Sequence, residues 1–107
     1  MKINLEIKKI IPIFVSRKTR EIMEKKITDI IEKNYKGTRV GYIHCGKYSS
    51  DYVTLIVLGL RHRNMPYAAK RILEAFPEVK WVHFTGGFVE YVYSRETLKW
   101  AGIKVAV

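Results

Sequence analysis

The stretch that most constrains the fold is Tyr52-Val-Thr-Leu-Ile-Val-Leu-Gly-Leu60, which runs straight into Arg61-His-Arg-Asn64. It is almost wholly apolar and rich in β-branched residues, and at nine residues it suits a buried strand better than a helix. Such a strand needs neighbours on both edges and cover on at least one face. Its exit carries two permanent cations around a histidine, followed by Met65-Pro66. Pro fits the first turn of a helix, because its missing N–H has no partner there in any case.

The segments on either side supply those neighbours. Residues 2 to 8 alternate, with Ile3, Leu5 and Ile7 opposite Lys2, Asn4, Glu6 and Lys8, as in a half-buried strand. Ile10–Val15 continues the apolar run, bent by Pro12, which cannot donate to a ladder. Ser16 is an expected N-cap for a helix over 17–35, whose Met23, Ile27, Ile30 and Ile31 recur at helical spacing before Gly37 stops it. Residues 38–44 read as a strand with Val40, Tyr42 and His44 on one face, and residues 46–51 as a turn.

A second helix is expected over 66–76, with Ala68, Ala69, Ile72, Leu73 and Phe76 on one stripe and Pro77 beyond its end. Residues 80–84 and 88–93 read as a hairpin joined by Thr85-Gly-Gly87. Ser94 is placed to cap a short helix over 95–101, and 103–107 is a candidate edge strand. The order is β-α-β-β-α-β plus an additional C-terminal β-hairpin and short helix. That predicts an α+β, ferredoxin-like two-layer sandwich forming one domain over 1–107. In that topology the N-terminal strand lies beside the strand at 52–60, and both helices cover one face.

Composition narrows the function classes. Twenty Lys and Arg against ten Asp and Glu give a net charge of +10, more than ion pairing can absorb. Nucleic acid or another polyanion is the expected partner. One cysteine, Cys45, leaves no internal disulfide framework, and the start of the chain lacks the apolar core of a signal peptide. No apolar run nears the roughly 18 residues of a membrane span. A cytoplasmic protein with no membrane association is therefore expected.

Two basic clusters stand out: Arg17, Lys18 and Arg20 at the start of the first helix, and Arg61, His62 and Arg63 before the second. Cations at a helix N-terminus oppose the macrodipole, so stability alone would favour acids there. The ferredoxin-like order brings both clusters to one sheet edge, where two helix starts would hold a phosphate or carboxylate. By alternation Phe14, Tyr42, His44 and Tyr52 share the face away from the helices. That face suits a homodimer interface or the stacking of unpaired bases.

The histidines have no H-x-H or C-x-x-C company, so no metal or other cofactor is expected. No catalytic signature surrounds Cys45. His62 is the single candidate for acid–base RNA cleavage, and a non-enzymatic module is the favoured reading.

Residues 38–84 carry a further pattern. Thr-Arg-Val-Gly-Tyr-Ile-His, a polar turn, Tyr-Val-Thr-Leu-Ile-Val-Leu, a helix and then Phe-Pro-Glu-Val-Lys-Trp-Val follow one another. Over residues 10–84 this is similar to small ACT-like regulatory domains, including the C-terminal domain of nickel-responsive repressors. The resemblance implies a ferredoxin-like sheet that pairs with a second copy and senses a small, here anionic, ligand. Of those repressors' metal pattern, an H-x-H on the second strand and a Cys soon after, only His44 fits. Tyr42 takes the other histidine's position and Cys45 comes too early, so nickel sensing is not implied.

Overall fold

The computed structural model describes residues 17–46, 51–86 and 89–106. Their order is α1 (Arg17–Asn34), β1 (Arg39–Cys45), β2 (Tyr52–Leu58), a 3-10 turn (His62–Asn64), α2 (Met65–Ala75), β3 (Trp81–Gly86), β4 (Val89–Tyr93) and α3 (Arg95–Trp100). The strands form one mixed sheet in the order β1-β2-β3-β4, antiparallel except for the parallel β2–β3 pair. The result is a small α+β fold of one four-stranded sheet and three helices. The expected strands at 2–8 and 10–15, the Ser16 cap and Phe14 lie outside the described residues.

The hydrophobic stripes meet as their spacing demands. Ile27 and Ile31 of α1 and Ala68, Ala69, Ile72 and Leu73 of α2 are fully buried. They pack in one cluster with Val53, Leu55, Val82 and Phe84 of the sheet, so both long helices cover the same face. Each fully buried Ile or Leu contributes about 1.5–3 kcal/mol, which makes this layer the main source of stability.

The order of the strands differs from the expected one. A ferredoxin-like sheet separates the third and fourth strands by the N-terminal strand. Here β2 pairs directly with β3, Tyr52 opposite Trp81 through Leu55 opposite Phe84, while its other edge is taken by β1. From Tyr52 to Leu55 the edge of β2 expected to face an N-terminal neighbour is paired with β3 instead. The helix linking two parallel strands is the same length whether they touch or flank a third, so the element pattern fits both sheets.

A second departure is local. The register slips between Val40 and Tyr42, so Gly41 sits in a bulge. Val40 thus packs toward the core with Ile43, while Tyr42 and His44 face the other way, beside Ile56 and Thr54. Val40 was expected on the Tyr42 face; one extra residue moves it across.

The bulge also shifts phase so that the N–H groups of both Val40 and Cys45 point off the outer edge of β1. Glu32 Oε2 accepts from Val40 at 3.0 Å, and Glu24 Oε2 accepts from Cys45 at 3.2 Å. Two carboxylates two turns apart on α1 therefore occupy edge donors that could otherwise recruit another strand.

The C-terminal part is held by polar contacts. Ser94 and Thr97 form a reciprocal capping box at the start of α3, as Ser94's position led one to expect. Arg95 reaches back to carbonyls in the last turn of α2 and in the loop after it, donating to Leu73 and Val79 at 2.7 Å and more loosely to Phe76 and Pro77. Residues 103–106 form no strand, contrary to expectation. Ile103 and Val105 pack on the core instead, and Ala106 N donates to Glu74 at 2.8 Å.

Candidate functional site

Gly59 ends β2 with φ of +81°, and a Cβ there would stand 2.5 Å from the carbonyl oxygen of Gly37. That contact locks the turn after α1 against the turn after β2. Each turn brings its cations along. Lys36 precedes Gly37, Arg39 lies opposite Leu58 in the ladder, and Arg61 and Arg63 follow Gly59. All four side chains are exposed. Arg71 stands close by, its guanidinium 5.9 Å from the Tyr35 ring. The first turn of α2, which begins at this end, contains no acidic residue.

At the same end of the sheet a crevice opens between β2 and β3. The β2–β3 ladder ends at Leu55 opposite Phe84, although β2 continues to Leu58 and β3 to Gly86. The space where the strands part is about 410 Å³, lined mainly by Ile56, Val57, Leu60, Met65, Phe84 and Tyr91. His62 lies at its margin with its ring centroid 4.3 Å from that of Tyr91. The site is thus an apolar crevice at the carboxyl ends of two parallel strands, a place where open α/β sheets favour ligands. A histidine–tyrosine pair borders it, with Arg61 and Arg63 on either side of that histidine in the chain.

The other expected cluster is elsewhere. Glu24 bonds to Cys45 and Glu32 to Val40, so α1 starts at the Cys45 end of the sheet and finishes at the Val40 end. Arg17, Lys18 and Arg20 therefore sit beyond Val53, while Arg61, His62 and Arg63 sit beyond Leu58. Five residue steps of about 3.3 Å put roughly 17 Å between the two ends. The expected convergence on one small anion does not occur, because it required the chain to enter α1 at the end of the sheet where β2 exits, and α1 starts at the opposite end.

Lys18 is exposed, but Arg20 is half-buried in a shallow recess with Glu21, Glu24, Ile43 and His44. Sequence reasoning instead missed Lys36 and Arg39. Their signal was the hairpin itself, since pairing the strands at 38–44 and 52–60 places Arg39 near the exit of the second.

The face away from the helices carries Tyr42, His44 and Tyr52 as alternation predicted, joined by Trp81 and His83 of β3. Tyr52 packs against Trp81 at 6.1 Å and edge-on against His83 at 5.8 Å. His83 Nε2 lies 3.4 Å from Glu90. Tyr42, Leu58, Trp81 and Val92 leave large apolar groups exposed on this face, Leu58 most of all at 57%.

Cys45 is buried on the core side, and burial pushes its thiol up to about 12, with the Glu24 carboxylate adding to the rise and Arg20 opposing it. A thiol held neutral there is a core residue, unsuited to nucleophilic attack. Among the described residues no group of three or more His, Cys, Asp and Glu side chains is placed to hold a metal ion. Nor is any described helix long and apolar enough to cross a membrane. No protein-family model, curated protein or solved structure matches the chain.

Proposed function

We propose that this protein is a small, basic, non-enzymatic module that binds nucleic acid. The main phosphate contacts come from Lys36, Arg39, Arg61 and Arg63, with His62 at the centre of the cluster. The observation that carries the reading is the gathering of these exposed cations at one end of the sheet, where the Gly37 and Gly59 turns meet and an apolar crevice opens. The overall charge of +10 supplies long-range attraction for the same ligand. Lys18, exposed near the start of α1 at the far end, adds to the basic surface, while Arg20 is half-buried beside Glu21 and Glu24. Basic groups at sheet ends that are themselves roughly 17 Å apart suit a chain of phosphates, which can touch both, better than one small anion.

The same reading includes a homodimer formed through the face with Tyr42, Leu58, Trp81 and Val92. Their exposure is more than the rest of the sheet retains. A ligand-sensing subunit that holds a small anionic metabolite at the Arg61–Arg63 end is the second reading. It is favoured by the crevice, which is of a size to enclose such a molecule.

The discriminating experiment is a titration of a labelled ten-nucleotide strand, and of a mononucleotide, at several salt concentrations. Four phosphate contacts on a single strand predict a log–log salt slope of about −2.8. Affinity should then fall about 50-fold between 50 and 200 mM salt. Strand binding that ignores salt, or mononucleotide binding of equal strength, overturns the nucleic-acid reading.

A further inference from the structure

We propose that the crevice where β2 and β3 part receives an unpaired nucleobase, so that the preferred ligand is single-stranded nucleic acid and not a duplex. This rests on the polyanion reading above and specifies the ligand's form.

What the crevice can accept is set by its lining. Its wall is apolar, formed by Ile56, Val57, Leu60, Met65 and Phe84, and it takes a flat uncharged group but not a phosphate. Its volume of about 410 Å³ has room for one aromatic heterocycle together with its sugar. The margin supplies a stacking surface. The His62 side chain is exposed on one side and supported on the other by Tyr91, at 4.3 Å and an interplanar angle of 49°. Tyr91 in turn lies nearly parallel to Tyr93, at 17° with centroids 6.5 Å apart, so the platform is backed by a column of rings along β4.

Charge complementarity identifies what the flat group is attached to. Arg61 and Arg63 flank His62 in the chain, and Arg39 lies opposite Leu58 at the same end. A base seated on His62 therefore places the phosphates on either side of its sugar within reach of cations. A paired duplex hides the faces of its bases in its own stack, and it offers this crevice nothing unless a base is extruded at a cost of a few kcal/mol. Stacking also tolerates any base, because every base has a π-face.

The test compares four probes by fluorescence anisotropy: a ten-residue oligothymidylate, an abasic ten-mer of equal charge, a duplex of the same length and thymidine monophosphate. Oligothymidylate is expected to bind about tenfold more tightly than the abasic strand, the worth of one stacked base. His62→Ala should bring the ratio of oligothymidylate to abasic affinity from about ten down to about one, with the circular dichroism spectrum of the protein intact.

Equal binding of the oligothymidylate and abasic strands, or equal or tighter binding of the duplex, overturns the base pocket while the polyanion reading stands. Absence of binding by all three polymers overturns both. Thymidine monophosphate that binds as tightly as the ten-mer assigns the crevice to a free nucleotide and overturns the single-strand proposal. Undiminished oligothymidylate binding by His62→Ala removes the assigned platform and likewise overturns it.

Discussion

Replacing Arg95 by alanine should be among the most damaging single changes in the C-terminal third of the protein. The guanidinium donates at 2.7 Å to the carbonyls of Val79 and Leu73, and it adds longer contacts to Phe76 and Pro77. Of these, the Leu73 carbonyl lies in the last turn of α2, at the negative pole of its dipole, and the others belong to the turn that follows, where Phe76 also accepts from Val79 N. Hydrogen bonds from a charged donor contribute about 1.5–3 kcal/mol each. Both short ones are only partly buried, and water can replace part of what is lost, so we expect a loss of about 3 kcal/mol.

In urea unfolding, at about 1.5 kcal/mol per molar, that corresponds to a midpoint lower by about 2 M with unchanged slope. The same loss lowers Tm by about 15 °C for a domain of this size. Arg95→Lys keeps the charge but loses the fork, so it should recover less than half of the difference. A change below 1 kcal/mol in Arg95→Ala would refute the reasoning, because it would mean that these carbonyls are as well satisfied by water.

Other outcomes follow from local geometry. Gly59→Ala forces a side chain into φ of +81° and against the Gly37 carbonyl. It should cost about 1–3 kcal/mol by thermal denaturation and weaken strand binding through displacement of Arg61, whereas Gly102→Ala, equally left-handed but open, should cost strain alone. The Cys45 thiol ionises near 9 when unfolded and near 12 when folded, so the unfolded chain sheds its proton first as pH rises. The stability this thiol contributes is whole below pH 9 and declines toward pH 12, by at most about 1.4 kcal/mol per pH unit. Cys45→Ala should make the pH dependence of Tm shallower in that window. A Leu58→Glu change, on the exposed sheet face, should shift the species seen in light scattering from dimer to monomer while leaving the helical signal intact; an unchanged mass would remove the sheet-face interface.

Much of the layer structure was legible in the chain. The run from Tyr52 could only be a strand, and the spacing of Ala68, Ala69, Ile72 and Leu73 marked the buried stripe of α2 before any coordinates. Ser94 marked its cap because the chemistry of a cap is local. What failed to show was non-local. The adjacency of β2 and β3 leaves no trace in either strand, because both are apolar on the buried face whichever neighbour they have. Nor does either basic cluster reveal that α1 starts at the end of the sheet opposite the exit of β2, which keeps Arg17–Arg20 apart from Arg61–Arg63.

The slip at Gly41 was equally silent, since a glycine in a strand marks a bulge only when the partner's register is known. Arg95 read as an ordinary first-turn residue, although its partners lie 16 to 22 residues upstream. Arg39 and Lys36 were in plain view, and hairpin geometry alone was enough to place Arg39 beside the exit of β2.

The central claim is that the cations at the carboxyl end of β2 hold a chain of phosphates. The most direct measurement is the salt dependence of oligothymidylate affinity for the wild-type protein and for the double variant Arg61→Ala with Arg63→Ala. Losing two contacts should make the log–log slope shallower by about 1.4, with the two lines converging at high salt. Parallel lines, or a wild-type affinity insensitive to salt, would contradict the claim.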